Sequence, residues 1–307
     1  MNEKIICDNC GQENPINYLQ CINCNENMKN YDYYKKDFKK YYKLFSNQSL
    51  EILKQIPLTD TAYDSILNSI IEIGSENLPA IPEPPSIPVL MKITKPYARV
   101  QYDQENKHPE YLSYYSFNRI FINRNTPQNM ISGAIIHEFG HHLFNEIIKQ
   151  SIMHLLNVEK NLYIESFAWY LTLQNEYLQI ANEYVSHRVQ EYFTPEQFNG
   201  YTSLIQLLND HSNLEEEKIQ TALNFGNVIS EDVIFIMEHF ITRSNPANPL
   251  NIQNNNLPYN IMKVNEQTKL NAIYTIIYKT FELFCKNKRD MLPILDDLNN
   301  SYIYYNV

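Results

Sequence analysis

Residues 137–141 read His137-Glu138-Phe139-Gly140-His141, and this stretch decides how the surrounding chain is expected to fold. Two histidines four residues apart lie on one face of an α-helix, so both imidazoles can reach one metal ion. The glutamate one step round the helix is placed to act on water beside that ion. The motif therefore predicts a helix that carries a site for zinc-assisted hydrolysis.

The flanking sequence predicts the length of this helix and the direction that its histidines face. Thr126 suits an N-cap and Pro127 the first helical position, so a helix is expected from there to about Leu156. The histidine face continues by threes and fours as an apolar stripe, which would turn the histidines toward the core. The stripe consists of Phe144, Ile148, Ile152 and Leu155.

A catalytic zinc needs a third protein ligand and one open position. A continuous helix is predicted over residues 158–189, and Glu165 near its start is the predicted third ligand. Glu159 falls in the turn near Asn157, and Glu176 lies ~16 Å beyond Glu165 along the predicted helix. His187 is excluded from the same zinc, because a continuous helix would put it ~33 Å from Glu165.

Four of the five cysteines form two C-x-x-C motifs, Cys7-Asp8-Asn9-Cys10 and Cys21-Ile22-Asn23-Cys24. Four thiolates in tetrahedral array are the ligand set of a structural zinc, whereas a redox motif needs only one pair. Gly11 and Asn25 follow the motifs and tolerate a left-handed backbone, which turns the chain away from the metal. A zinc ribbon is predicted over residues 1–28, with a strand over 16–20.

Composition excludes several classes of function. The sequence contains 25 Lys and Arg residues and 35 Asp and Glu residues. The resulting formal charge of −10 argues against broad nucleic-acid binding. The 6 glycines include no G-x-G, which excludes dinucleotide and P-loop phosphate sites. No apolar run of ~18 residues occurs, so we expect a cytoplasmic protein without membrane contact.

The residues around the motif resemble the ImmA/IrrE family of gluzincin-type metallopeptidases. The resemblance consists of a strand ending in Ile122-Asn123, the His137–His142 helix, and Glu165 three residues before Ala168. It covers residues 110–175. Ser166 and Phe167 follow Glu165 where many family members have Ala-Asn, and the ribbon and the long C-terminal region are additions.

The resemblance implies a fold, a reaction and a class of substrate. His137, His141 and Glu165 would bind a catalytic zinc, and Glu138 would be the general base of a zinc-dependent endopeptidase. The substrate would be a protein or peptide, by analogy a repressor-like regulator inside a bacterium. The strand over residues 120–122, if it lies at a sheet edge, could pair with the substrate backbone.

The expected fold is mainly α with a small β-sheet. A zinc ribbon (1–28) would precede a helical segment with a Pro-rich linker (29–90), a zincin-like metallopeptidase core (91–190) and a helical C-terminal region (191–307). Within these segments the predicted helices cover residues 31–54 and 62–73, an extended stretch covers 78–89, strands cover 98–103 and 119–123, and a loop covers 244–258.

Two matters stay open at the level of sequence. The oxyanion-stabilising donor is not identified, and the candidates are Tyr114, Tyr115, His108 and His239. The alternative to an active peptidase is a non-catalytic zinc-binding adaptor or a pseudoprotease whose metal site only joins two helices. Glu138 favours the enzyme, since a structural zinc site has no need of this extra carboxylate.

Overall fold

The computed structural model of the chain is mainly helical, with small sheets of two and three strands. This confirms the predicted fold class, a mostly helical α+β protein. The structure describes residues 4–7, 9–15, 21–24, 44–75, 81–82, 85–104, 107–194, 201–242, 259, 261–262 and 264–287. Within these ranges, no helix combines the length and the apolar character needed to cross a membrane.

The elements are numbered along the chain. The helices are α1 Asn47–Gln55, α2 Asp60–Ser75, α3 Ile87–Thr94, α4 Ile131–Leu156, α5 Leu162–Gln174, α6 Glu176–Phe193, α7 Thr202–Asp210, α8 Glu216–Glu238 and α9 Glu266–Lys286. The strands are β1 Lys4–Ile6, β2 Glu13–Pro15, β3 Ile81–Pro82, β4 Arg99–Asp103, β5 Ser113–Ser116, β6 Arg119–Asn123 and β7 Ile241–Thr242.

The chain forms two compact units. The first comprises Met1–Thr59, Ile148–Leu171 and Ile273–Val307, and the second comprises Asp60–Ile147 and Thr172–Ala272. Each unit therefore combines stretches that are far apart in sequence. The division into four consecutive segments stays a prediction.

Aromatic side chains form much of the core of the first unit. The ring centroid of Phe45 lies 5.5 Å from that of Phe167 and 4.8 Å from that of Phe284. Phe281 completes the cluster, 5.1 Å from Phe45. All four rings are buried, and their tilted or edge-on contacts suit the charge distribution of aromatic rings.

The three-stranded sheet belongs to the second unit and has the order β4-β6-β5. Strand β6 lies in the centre, parallel to β4 and antiparallel to β5. The predicted strands at 98–103 and 119–123 are thus present, but the edge position proposed for residues 120–122 is wrong. Phe117 and Asn118 join β5 to β6 with positive φ angles of 43° and 62°, as a tight hairpin turn requires.

Helix α4 carries the HExxH motif and begins later than predicted. The Thr126 hydroxyl donates to the Leu112 carbonyl at 2.5 Å, and residues 127–130 form a turn before the helix starts at Ile131. The C-terminal end agrees with the prediction. Asn157 has a φ of 51°, and the Val158 N–H donates to the Met153 carbonyl, which is the hydrogen bond of a Schellman C-cap.

The single helix predicted over residues 158–189 is wrong, because the structure contains two helices there. Helix α5 ends at Gln174, and α6 begins after Asn175, whose side chain accepts a hydrogen bond from the Leu178 N–H. Asn175 has an extended backbone, with φ −90° and ψ 106°. An N-cap with this backbone allows α6 to leave the direction of α5.

Two further predictions need correction at their boundaries. The helix predicted over residues 31–54 is interrupted at Phe45 and Ser46, and helix α1 begins at Asn47, after Ser46 accepts a capping bond from the Ser49 N–H. Helix α3 begins at Ile87 inside the stretch predicted to be extended, because Pro88 in the first helical turn costs no hydrogen bond. Helix α2 contains the predicted 62–73. Residues 16–20, 25–43 and 244–258 lie outside the described residues.

Lys269 of α9 is an almost completely buried cation in the second unit. Its ammonium donates to both carboxylate oxygens of Asp232, at 2.8 and 3.0 Å, and its side chain is 2% exposed. The Tyr63 hydroxyl donates to the same carboxylate at 2.8 Å. The cluster ties α2, α8 and α9 together.

We expect Lys269→Ala to lower the free energy of unfolding by about 3 kcal/mol, because it leaves the buried Asp232 carboxylate without its cation. Urea denaturation followed by circular dichroism measures this. Lys218→Ala removes an exposed lysine of the same unit and should stay within about 0.5 kcal/mol of the wild type. Equal stabilities of the two variants would contradict this account.

Candidate metal centres

Helix α4 brings the two histidines of the motif together. Their Nε2 atoms are 3.2 Å apart, as expected for side chains one helical turn apart on the same face. The two side chains are 12% and 14% exposed, so they lie at the surface of the core and remain accessible.

The carboxylate beside these histidines is that of Glu183, on α6. Glu183 Oε1 lies 3.5 Å from His137 Nε2, and Oε2 lies 3.4 Å from His141 Nε2. One donor atom from each of the three residues falls within 4.8 Å of the other two. This group could hold a metal ion.

Glu165, the third ligand predicted from the sequence, has other partners. It lies on α5 in the first unit, where its Oε1 accepts from Lys149 Nζ at 3.1 Å and lies 3.3 Å from Lys160 Nζ. The group that could hold a metal contains Glu183 in its place. The sequence-based choice assumed a continuous helix over residues 158–189 and did not consider Glu183; the break at Asn175 allows α6 to take another direction. Asn175 followed by Glu176 is an N-cap signal that could have revealed it.

The α4–α6 approach depends on Gly140, the glycine of the motif. A Cβ atom at this position would lie 3.0 Å from the Ser186 Cα and 3.2 Å from its Oγ. Because glycine has no side chain, the backbones can approach closely at this point. The crossing lies next to His141 on α4 and one turn beyond Glu183 on α6.

Helix α6 also orients both imidazoles. His137 Nδ1 lies 3.1 Å from Gln190 Oε1, and His141 Nδ1 lies 3.1 Å from Asn182 Oδ1. An amide oxygen accepts, so each Nδ1 carries the proton and donates. The Nε2 lone pairs are then directed toward Glu183, which is the tautomer that binds a metal through Nε2.

The charges in this group stabilise one another. Burial lowers the pKa of His137, but the hydrogen bond and negative charge of Glu183 outweigh burial and raise it overall. Burial raises the pKa of Glu183, and its interactions with the neighbouring His137, His187 and His141 outweigh burial, so that this pKa falls well below its usual range. Glu183 is therefore an anion, as a carboxylate metal ligand must be.

Glu138, the expected general base, is buried and accepts a hydrogen bond from a residue of the three-stranded sheet. The Ser113 hydroxyl of β5 donates to Glu138 Oε1 at 2.7 Å. Sequence analysis missed both strand β5 and this serine. The hydrogen bond fixes the orientation of the carboxylate and leaves Oε2 for another partner.

The other residues considered from the sequence have varied positions. Tyr115 and His142 hydrogen-bond each other through the hydroxyl and Nδ1, at 3.1 Å. Tyr114 stacks on Phe121, and His239 Nδ1 lies 2.9 Å from a carbonyl of its own helix. Sequence analysis excluded His187 from the zinc site, but in the structure its Nε2 lies 3.3 Å from Glu183 Oε1.

The four cysteines of the two C-x-x-C motifs come together in the first unit. Cys7 Sγ lies 3.6 Å from Cys24 Sγ, and Cys10 Sγ lies 3.5 Å from Cys21 Sγ. All four sulfur atoms lie within 4.8 Å of one another, so they form a second group that could hold a metal ion.

Local structure supports this cysteine cluster. Strands β1 and β2 pair as a hairpin around the first motif, and Gly11 has the left-handed φ of 72° expected at this turn. Asn9 and Asn14 direct side-chain N–H groups at Cys24 and Cys21, at 3.5 and 3.6 Å. Backbone N–H groups outweigh burial and lower the pKa of Cys21 to about 6, which favours the thiolate that metals bind.

Comparisons with protein-family models, curated protein sequences and solved structures give no match for this chain. The resemblance to ImmA/IrrE peptidases therefore stays a prediction that rests on the motif residues. The two ligand groups rest on the distances between their side chains in the structure.

We expect the purified chain to hold two metal ions, one in each group, and Glu183→Ala to reduce this to one. Removing the carboxylate leaves only two histidine ligands, which is too few for stable binding. Plasma mass spectrometry of protein prepared without chelators measures the metal content. Glu165→Gln is the matched control and should retain two ions. Loss of an ion in Glu165→Gln with two retained in Glu183→Ala would contradict this assignment.

We expect Gly140→Val to lose the metal ion of the histidine group while keeping that of the cysteines. The valine side chain would meet the Ser186 backbone and push α6 away from α4, which separates Glu183 from the histidines. Metal analysis combined with circular dichroism separates this effect from unfolding. A Gly140→Val protein that is folded and holds both ions would show that the close crossing is not required.

Proposed function

We propose that this chain is a zinc-dependent endopeptidase in which His137, His141 and Glu183 hold a catalytic zinc and Glu138 is the general base. The observation that carries the proposal is the distance between the three ligand groups. A tetrahedral zinc with bonds of about 2.0–2.1 Å keeps its nitrogen and oxygen ligands about 3.3 Å apart. The two Nε2 atoms are 3.2 Å apart, and each lies 3.4–3.5 Å from one oxygen of the Glu183 carboxylate, close to that spacing.

The number of ligands also fits a catalytic site. Three protein ligands leave one tetrahedral position for water or substrate, whereas structural zinc sites use four. Zinc in such a site supplies Lewis acidity, which lowers the pKa of water and polarises a carbonyl group. The hydrogen bonds that the two histidines donate to Gln190 and Asn182 are of the kind that orient metal ligands in other proteins.

Glu138 would move the proton during hydrolysis. Its Oε1 accepts the Ser113 hydrogen bond, and its Oε2 would take a proton from the attacking water and return it to the leaving amine. Its burial limits competition from bulk water for the carboxylate. A peptide bond fits this chemistry, since its cleavage needs both a base for water and an acid for the amine.

The four cysteines would hold a second, structural zinc. Zn–S bonds of about 2.3 Å place tetrahedral sulfur ligands about 3.8 Å apart, and the contacts of 3.5 and 3.6 Å are close to this value. Four ligands leave no open position, so the cysteine site would stabilise the β1–β2 hairpin and take no part in hydrolysis. By resemblance, the substrate would be an intracellular regulatory protein in the bacterial cytoplasm.

We expect Glu138→Gln to lower the rate of peptide hydrolysis about 10²–10⁴-fold while leaving the metal content at two ions, because Glu138 is not a ligand. A library of synthetic peptides of mixed sequence serves as substrate, so the cleavage specificity need not be chosen in advance. Mass spectrometry detects the new termini. The zinc-loaded wild type and the chelator-treated wild type complete the comparison.

Glu146→Gln is a matched control, since Glu146 is also a buried glutamate of α4 and is not among the residues that could hold the metal. It should cleave at close to the wild-type rate. Absence of cleavage by the zinc-loaded wild type would contradict the peptidase and favour the alternative, a non-catalytic zinc-binding adaptor. Equal cleavage by Glu138→Gln and the wild type would remove Glu138 from the mechanism.

A further inference from the structure

Glu183 is held by a second pair of side chains outside the metal-ligand group, His187 and Ser203. His187 lies one turn beyond Glu183 on α6, and Ser203 lies in the first turn of α7. Ser203 Oγ is 2.5 Å from Glu183 Oε1, and His187 Nε2 is 2.7 Å from Ser203 Oγ. The three polar groups form a chain that ends at the carboxylate.

The chemistry of the three groups sets the direction of the hydrogen bonds. An ionised carboxylate only accepts, so the Ser203 hydroxyl donates its single proton to Glu183 Oε1. The hydroxyl oxygen then accepts, and the donor is the Nε2–H of His187. The result is a relay from His187 through Ser203 to Glu183 in which each proton has one acceptor.

The His187 ring has little freedom to turn away. It is 9% exposed and stacks on Tyr201, with ring centroids 4.9 Å apart and planes inclined by 27°. Tyr201 is 4% exposed, and its hydroxyl donates to Glu191 at 2.8 Å. The residue that precedes α7 therefore fixes the imidazole that begins the relay.

We propose that His187 and Ser203 are positioning residues, which hold the Glu183 carboxylate in its ligand orientation through this relay. The inference rests on the proposed function, since it takes Glu183 to be a ligand of the catalytic zinc. A glutamate loses side-chain freedom when it binds a metal, and a preformed hydrogen bond removes part of that cost beforehand. Helix α7 thus becomes part of the metal site, although it supplies no ligand.

Each ligand then has its own support. Gln190 orients His137, Asn182 orients His141, and the relay orients Glu183. Partners of this kind change metal affinity about 10–100-fold when they are removed.

The test is the zinc dissociation constant of the histidine site in the full chain, measured by competition with a chromophoric chelator. The His141→Ala protein, which keeps only the cysteine site, provides the background to subtract. We expect Ser203→Ala and His187→Phe each to weaken zinc binding about 10–100-fold. Phenylalanine keeps the stacking on Tyr201 and removes the N–H donor.

Two further variants separate the relay from general disturbance. Ser203→Thr keeps the hydroxyl and should bind zinc like the wild type, as should Ser212→Ala, an exposed serine beyond α7. The double variant Ser203→Ala/His187→Phe should bind little more weakly than either single one, because both changes break the same chain. Ser203 is exposed, so its alanine variant opens no cavity in the core.

The failure of this inference is distinguishable from the failure of the proposed function. Wild-type zinc affinity in Ser203→Ala and His187→Phe, with a histidine site that His141→Ala abolishes, would overturn the relay alone. Fully additive losses in the double variant would also overturn it, since the two residues would then act separately. Metal content unchanged by His141→Ala would overturn the proposed site and the relay together.

Discussion

The candidate site depends on the close crossing of α4 and α6 where Gly140 faces Ser186. A Cβ at Gly140 would lie 3.0 Å from the Ser186 backbone, closer than ordinary van der Waals contact, so a side chain there would have to displace α6. Three of the groups that surround the motif histidines, namely Asn182, Glu183 and Gln190, lie on α6. One helix–helix contact therefore positions the Glu183 carboxylate and the hydrogen-bond partners of both motif histidines.

Helix α6 is itself held in place by α8 through a second close approach. A Cβ at Gly226 would lie 2.8 Å from the carbonyl oxygen of Ala181, so α8 also requires glycine where it meets α6. The buried side chains of Ile180, Tyr184 and Leu223 pack with α7 in the same cluster. Helix α6 is thus packed against α4, α7 and α8. Such packing fixes the positions of the side chains that it carries to the candidate metal site.

Electrostatics explain why the charged groups of this site tolerate burial. A buried carboxylate is costly unless it is paired and hydrogen-bonded; Glu183 lies beside the imidazoles of His137 and His187 and accepts from the Ser203 hydroxyl. Metal binding requires neutral histidines and an ionised glutamate. A metal ion that binds here would therefore displace a proton held between His137 and Glu183. The same arrangement serves the folded chain and the candidate metal site.

The sequence alone determined the local features: the HExxH pair, the two C-x-x-C motifs, strands β4 and β6, and the end of α4 at Asn157. Each follows from spacing or from one residue's backbone preference. The tertiary structure alone decided the identity of the carboxylate. Glu183 is 42 residues beyond His141, and the break at Asn175 and the contact at Gly140 bring it there. Helix crossing depends on packing between distant residues, which local patterns do not encode.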